Sequence, residues 1–164
     1  MICCILGHRE ICETEELKRQ LTLTIEDLIA KENVDTFLFG SKSSFNSLCY
    51  ELITQVKVKY PHIKRIYVRA EFPVINEDYR EFLLKRYEDT YYPEGLTGAG
   101  RLVYIKRNEE MIGKSQFCLF YFDAAYAAKG RSGTKIAHDY ALKHKKRVIQ
   151  FPLLHTAPQS DING

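Results

Sequence analysis

Between the apolar run Cys118-Leu119-Phe120-Tyr121-Phe122 and a helix-patterned run from Lys135 to Lys145 stand Gly130, Arg131, Ser132, Gly133 and Thr134. A buried strand, a glycine-bearing loop and a helix start, in that order, make a place where phosphate can sit. The loop lets backbone approach closely, and the first helical turn offers unpaired N–H groups at the positive end of the dipole. A tight turn with a Ser or Thr cap is the plainer reading, but Gly130 and Arg131 adjoin it and favour phosphate or ribose contact. No Gly-x-x-x-x-Gly-Lys-Ser/Thr loop occurs, so the Walker arrangement is excluded. The chemistry implied is binding of a phosphate-bearing small ligand.

Other residues of the same character end other apolar runs. Gly7-His8-Arg9 follows the first one. An arginine at a strand end can hold phosphate bidentately, where lysine is a poorer substitute, or it can pair with a carboxylate. His8 can contact ligand or bond within its own loop. Gly40, Ser41, Lys42, Ser43 and Ser44 put hydroxyls and an ammonium before a strongly patterned helix. Capping uses one serine, and the rest suit an anion or a ribose. Arg69 ends a third run, and Arg107 and Asn108 either face the ligand or pin the preceding glycine loop. Glu71 and Asp123 are the acids near these ends, and so the only catalytic candidates. Their alternative role is ion pairing with Arg9, Arg69 or Arg131. The Tyr91-Tyr92 pair can stack on a base or simply pack. No metal-ligating set and no cofactor is expected.

Alternating elements must hold these loops together. Ile2–Leu6, Thr36–Phe39, Arg65–Arg69, Phe117–Phe122 and Arg147–Phe151 read as strands. Leu17, Leu21, Ile25, Leu28 and Ile29 mark one helix face, with Thr14 as its cap. Phe45, Leu48, Cys49, Leu52, Ile53 and Val56 mark a second, stopped by Pro61. Asn76 caps a short helix using Tyr79, Phe82 and Leu83; Tyr91 to Arg101 reads as a loop; a short helix spans Arg107 to Lys114. The helix after Thr134 is expected to bury Ile136, Ala137, Tyr140 and Ala141. Such alternation with near-continuous apolar strands predicts an α/β domain: a mostly parallel sheet of five to seven strands with helices on both faces. Ligands of such sheets bind beyond the carboxyl ends of the strands, where the polar loops fall.

At 164 residues the chain is expected to form one domain, 1–154, followed by a polar, disordered tail over 155–164. A formal charge of +3 is too small to imply nucleic acid, which is not expected as a partner. The basic run Lys143 to Arg147 reads as a solvated helix end complementing the dipole. No apolar stretch approaches a membrane span, and no membrane association is expected. The five cysteines are an odd number without a Cys-x-x-Cys pair, which points to buried free thiols in a reducing cytoplasm.

The ordered set Cys3-Cys4-x-x-Gly7-His8-Arg9, Arg107-Asn108-x-x-Met111, and Ser132-Gly133-Thr134 with Tyr140-Ala141 and Val148-Ile149 resembles the SLOG superfamily. That superfamily includes cytokinin-activating phosphoribohydrolases and DNA-processing Smf/DprA proteins, and the chain is most similar to its small bacterial and phage members over most of residues 1–151. The resemblance implies a Rossmann-like fold, a nucleotide site at Gly7, His8, Arg9, Gly40, Ser41, Lys42, Ser43, Arg69, Arg107, Asn108 and Gly130 to Thr134, and a homo-oligomer, dimer or higher. Two departures bear on activity. The phosphoribohydrolase signature Gly-Gly-x-Gly-Thr-x-x-Glu, aligned on Gly133-Thr134, places Ala137 where the glutamate acts. The small members' Gly-Gly-Ala-x-Gly-Phe-Asp run is replaced by Gly40-Ser41-Lys42-Ser43-Ser44-Phe45-Asn46. The expected function is therefore binding of a nucleotide or nucleotide-derived signal, as sensor or sequestering protein. The alternatives are an N-glycosidase or phosphoribohydrolase using Glu71 or Asp123, and single-stranded nucleic-acid binding.

Overall fold

Strands buried on both faces need helices on both faces, and the chain meets that need by winding in two directions. The computed structural model describes residues 1–127 and 132–153. Strand β1 (Ile2–Gly7) leads through helix α1 (Glu15–Ala30) to β2 (Thr36–Phe39), then through α2 (Ser44–Lys57) to β3 (Lys64–Val68). Helix α3 (Glu77–Leu84) leads to β4 (Asp89–Tyr91), and α4 (Val103–Lys114) returns the chain to β5 (Phe117–Tyr121). The short α5 (Ala124–Ala127) and then α6 (Gly133–Lys143) precede β6 (Arg147–Phe151). The six strands are all parallel in the order β4-β3-β2-β1-β5-β6. This is a Rossmann-like α/β architecture.

Alternate β1 residues enter opposite cores. Cys3 and Ile5 pack with Leu21, Ile25, Phe45 and Ile53 of α1 and α2. Cys4 and Leu6 pack with Met111 and Ile112 of α4 and Ala137 and Ala141 of α6. Cys3, Cys4, Cys49 and Cys118 are buried free thiols, and Cys12 is exposed. Burial pushes the Cys3 and Cys49 thiols well above their ordinary range, so they act as small apolar groups.

The helix starts follow local chemistry. Thr14 accepts from Leu17 N, Ser43 from Asn46 N, Asn76 from Tyr79 N and Ser132 from Lys135 N. Three expectations change. The segment expected to be a loop from Tyr91 begins inside a strand: Asp89–Tyr91 pairs with Ile66–Val68, and Thr90 Oγ1 donates to Tyr67 O at 2.8 Å. Three mixed residues carry no periodicity, so only pairing with β3 makes them a strand. Helix α4 starts at Val103 rather than near Arg107, because Leu102 offers no capping side chain to announce it. On α6 it is Ala137, His138 and Ala141 that are buried, while Ile136 and Tyr140 are half-buried. His138 is accommodated by a hydrogen bond to Gln150 at 3.0 Å and by stacking on Phe122.

The basic run behaves as a structural terminus. Lys146 Nζ donates to Gly113 O and Ser115 O at the end of α4, and Arg147 pairs with Glu32 at 3.1 Å. Among the described residues no helix is long and apolar enough to cross a membrane. The expected tail over 155–164, and Gly130 and Arg131, lie outside the described residues.

Candidate functional site

Strands β1 and β5 are neighbours, yet the chain leaves β1 toward α1 on one face and β5 toward α6 on the other. That divergence is the switch point at which open parallel sheets take ligands. A cavity of about 800 Å³ opens there, lined by Gly7, His8, Arg9, Ser41, Lys42, Ser43, Asn108, Ser132, Gly133 and Thr134, with Leu6, Tyr104 and Tyr126. Turns far apart in sequence thus share one hollow. A second compartment of about 470 Å³ adjoins it and contains Gly40, Arg69, Glu71 and Arg107. Arg9, Ser41, Lys42 and Tyr104 line both.

Each wall has a separate physical origin. Gly7 is required by close packing, since a Cβ there would lie 2.4 Å from Phe45 Cδ1. Gly40 is in the same position, with Met111 Sδ at 2.7 Å and Arg107 Cδ at 2.8 Å from such an atom. Arg107 is buried; its guanidinium donates to the Gly40 carbonyl, and its Nε donates to Asn108 Oδ1 at 3.0 Å. It therefore pins the turn that carries Ser41 and Lys42, rather than a preceding glycine loop. Burial lowers its pKa from the ordinary arginine value.

His8 is buried and joins the two strand ends: its Nε2 accepts from the Asp123 backbone N–H at 2.9 Å. Burial depresses its pKa, against the raising effects of the Asp123 carbonyl, 3.3 Å from the same nitrogen, and of the Asp123 charge. Ser43 is consumed as a cap, receiving Asn46 N and Asn46 Nδ2 as well as the Ser41 hydroxyl. The first N–H of α2, from Ser44, goes to Arg9 O at 2.9 Å. Helix α2 accordingly offers the cavity its dipole, Lys42 and Ser41 more than free donors. Helix α6 starts at Gly133, and its opening N–H groups have no carbonyl acceptor within their own helix.

The charge is one-sided. Arg9 and Lys42 line the larger cavity, no carboxylate does so among the described residues, and the starts of two helices meet it. Such a wall attracts an anion.

The two candidate acids are placed differently from one another. Asp123 lines neither compartment; its carboxylate accepts from Ala125 N at 2.9 Å at the start of α5. Glu71 lines the second compartment and accepts from the Tyr104 hydroxyl. Among the described residues Arg69 pairs with no acid, its Nη1 donating to Phe72 O at 2.6 Å.

The chain matches no protein-family model and no curated protein.

Sequence reasoning missed Tyr67, Phe72, Tyr79, Tyr104 and Tyr126 as lining residues. Tyr104, Arg107 and Asn108 stand three and four residues apart, one face of α4. That spacing is the signal, and it starts in the first turn of α4, before Arg107. Tyr91, for which stacking on a base and simple packing were the two readings, packs against the α4–α6 side of the core under the Lys114 ammonium, 4.3 Å from its ring.

Proposed function

We propose that this protein binds a nucleotide or nucleotide-derived signalling molecule at the carboxyl ends of its strands and works by sensing or sequestering it. The observation that carries this reading is the larger cavity, with Arg9, Lys42 and two helix starts and no described carboxylate. Phosphate is the ligand group that such a wall favours, by charge and by backbone donors together. The hydroxyls of Ser41 and Thr134 and the amide of Asn108 suit a ribose beside it. The SLOG resemblance of the loops supports the same ligand class.

Binding without turnover is favoured by Ala137. It is buried against the sheet in the α6 interface, so the position that holds a glutamate in phosphoribohydrolases carries no acid here. Titration calorimetry with mono-, di- and cyclic nucleotides and ADP-ribose derivatives tests the proposal. At least one should bind more tightly than millimolar. Heats indistinguishable from dilution across the panel would sink it.

A further inference from the structure

The compartment beside the anion-attracting cavity has a different chemistry. Four of its lining side chains are aromatic: Tyr67, Phe72, Tyr79 and Tyr104. Phe72 is 58% exposed and sits at φ 58°, in the left-handed region that bulky residues rarely adopt. Arg69 holds it there through the Phe72 carbonyl at 2.6 Å, and Tyr79 meets its ring edge-to-face with centroids 6.0 Å apart. An exposed ring kept in a costly backbone conformation is a feature expected of a contact surface. Its free face suits stacking against another planar ring.

Two polar groups give the compartment direction. Glu71 is its only carboxylate among the described residues. Tyr104 occupies Oε1, but an ionised carboxylate has about four lone-pair sites, so it can accept further bonds. Arg69 Nε is a buried donor with no hydrogen-bond partner. An acceptor-only acid and an unpartnered donor on residues lining one compartment complement an edge that carries two adjacent N–H donors and a carbonyl. Guanine has such an edge in N1–H, N2–H and O6. Adenine puts the N1 lone pair where the carboxylate would be, and two acceptors repel.

We propose that this second compartment holds the base of the bound nucleotide and that Glu71 selects a guanine-type edge over an adenine-type one. The inference rests on the nucleotide reading above and adds the base to it. Arg9, Ser41 and Lys42 line both compartments, so a single nucleotide can keep its phosphates in the first and its base in the second.

Calorimetry with GDP and ADP tests it on the full chain and on Glu71→Gln, Phe72→Ala and Arg9→Ala. The intact protein should prefer GDP by at least about tenfold, a typical penalty for one mismatched hydrogen-bonding edge. Glu71→Gln should lose most of that preference through weaker GDP binding, with ADP unchanged or improved. Phe72→Ala and Arg9→Ala should weaken both nucleotides alike. Glu71 is exposed, so an unchanged melting curve for Glu71→Gln is the folding control. Binding of both nucleotides without preference, or equal losses for both in Glu71→Gln, overturns the base assignment and leaves the nucleotide site standing. If neither these nor any nucleotide of the wider panel binds, both readings fall together.

Discussion

The backbone N–H of Asp123 donates to His8 Nε2 at 2.9 Å, closing the seam between β1 and β5 where the chain reverses its winding. Burial keeps the ring neutral, and the shorter of the two contacts of Nε2, to the Asp123 N–H rather than to the Asp123 carbonyl at 3.3 Å, puts the ring proton on Nδ1. Protonation would break that bond and leave Nε2 only the Asp123 carbonyl at 3.3 Å, in a buried setting that disfavours the charge.

A pH dependence follows. Burial lowers the His8 pKa below its ordinary value of 6.5, so the unfolded chain takes up the proton first as pH falls. His8 therefore contributes stability that is present above its ordinary value and is lost as pH drops through the depressed native one. Denaturant unfolding compared at about pH 7.5 and about pH 5 should show a larger loss for the natural chain than for His8→Asn. Equal losses would remove His8 as the cause.

Gly7→Ala should destabilise the protein by about 1–3 kcal/mol through overpacking. The added Cβ would fall 2.4 Å from Phe45 Cδ1, at the start of the helix that presents Ser41 and Lys42. A chemical denaturation midpoint matching that of the unaltered protein would show that Phe45 can yield.

Arg9 is exposed at the mouth of both compartments. Arg9→Ala should weaken nucleotide binding by about 1.5–3 kcal/mol, the worth of a charge-assisted contact, with little change in the melting temperature. Undiminished affinity would remove Arg9 from the site.

Glu88→Ala should cost about 3 kcal/mol, the low end for breaking a buried ion pair, because the Glu88 side chain keeps 29% of its exposure. Arg65 has only 11% of its side chain exposed and gives Glu88 three hydrogen bonds, from its backbone N at 2.7 Å, Nε at 3.1 Å and Nη2 at 2.8 Å. Burial would raise the Glu88 carboxyl, but these bonds outweigh it and hold the pKa below the ordinary carboxylate value. The pair ties β3 to the edge of the sheet, outside the cavity. Nucleotide affinity of the folded variant should stay unchanged, and calorimetry would reveal any coupling.

Incubation with nucleoside monophosphates should release no free base, and the nucleotide should be recovered intact by chromatography. Asp123 is turned to α5, and Glu71 accepts from Tyr104 in the second compartment. Release of free base that disappears in Glu71→Gln would replace the binding reading with a hydrolytic one.

Much of the framework was legible because its causes are local. Thr14 and Asn76 each satisfy an N–H three residues further on, a relation written directly in spacing, whereas Ser43 and Ser132 are the caps among several neighbouring hydroxyls that the sequence offered for capping or for ligand. Strands β1, β2 and β5 announce themselves as unbroken apolar runs because both faces are covered. The gathering of Gly7, Ser41 and Thr134 at one sheet edge follows from parallel winding, which returns every strand end to the same side. What the tertiary structure decided depends on partners distant in the chain. Asp89–Tyr91 is a strand only beside β3, Gly7 is obligatory only because Phe45 lies against it, and Arg107 is buried because it serves Gly40, 67 residues away. The aromatic compartment joins rings from β3, α3, α4 and the loop after β3, and no run of residues states that meeting. Local periodicity reports which face of an element is covered; it carries no information about which distant atoms do the covering.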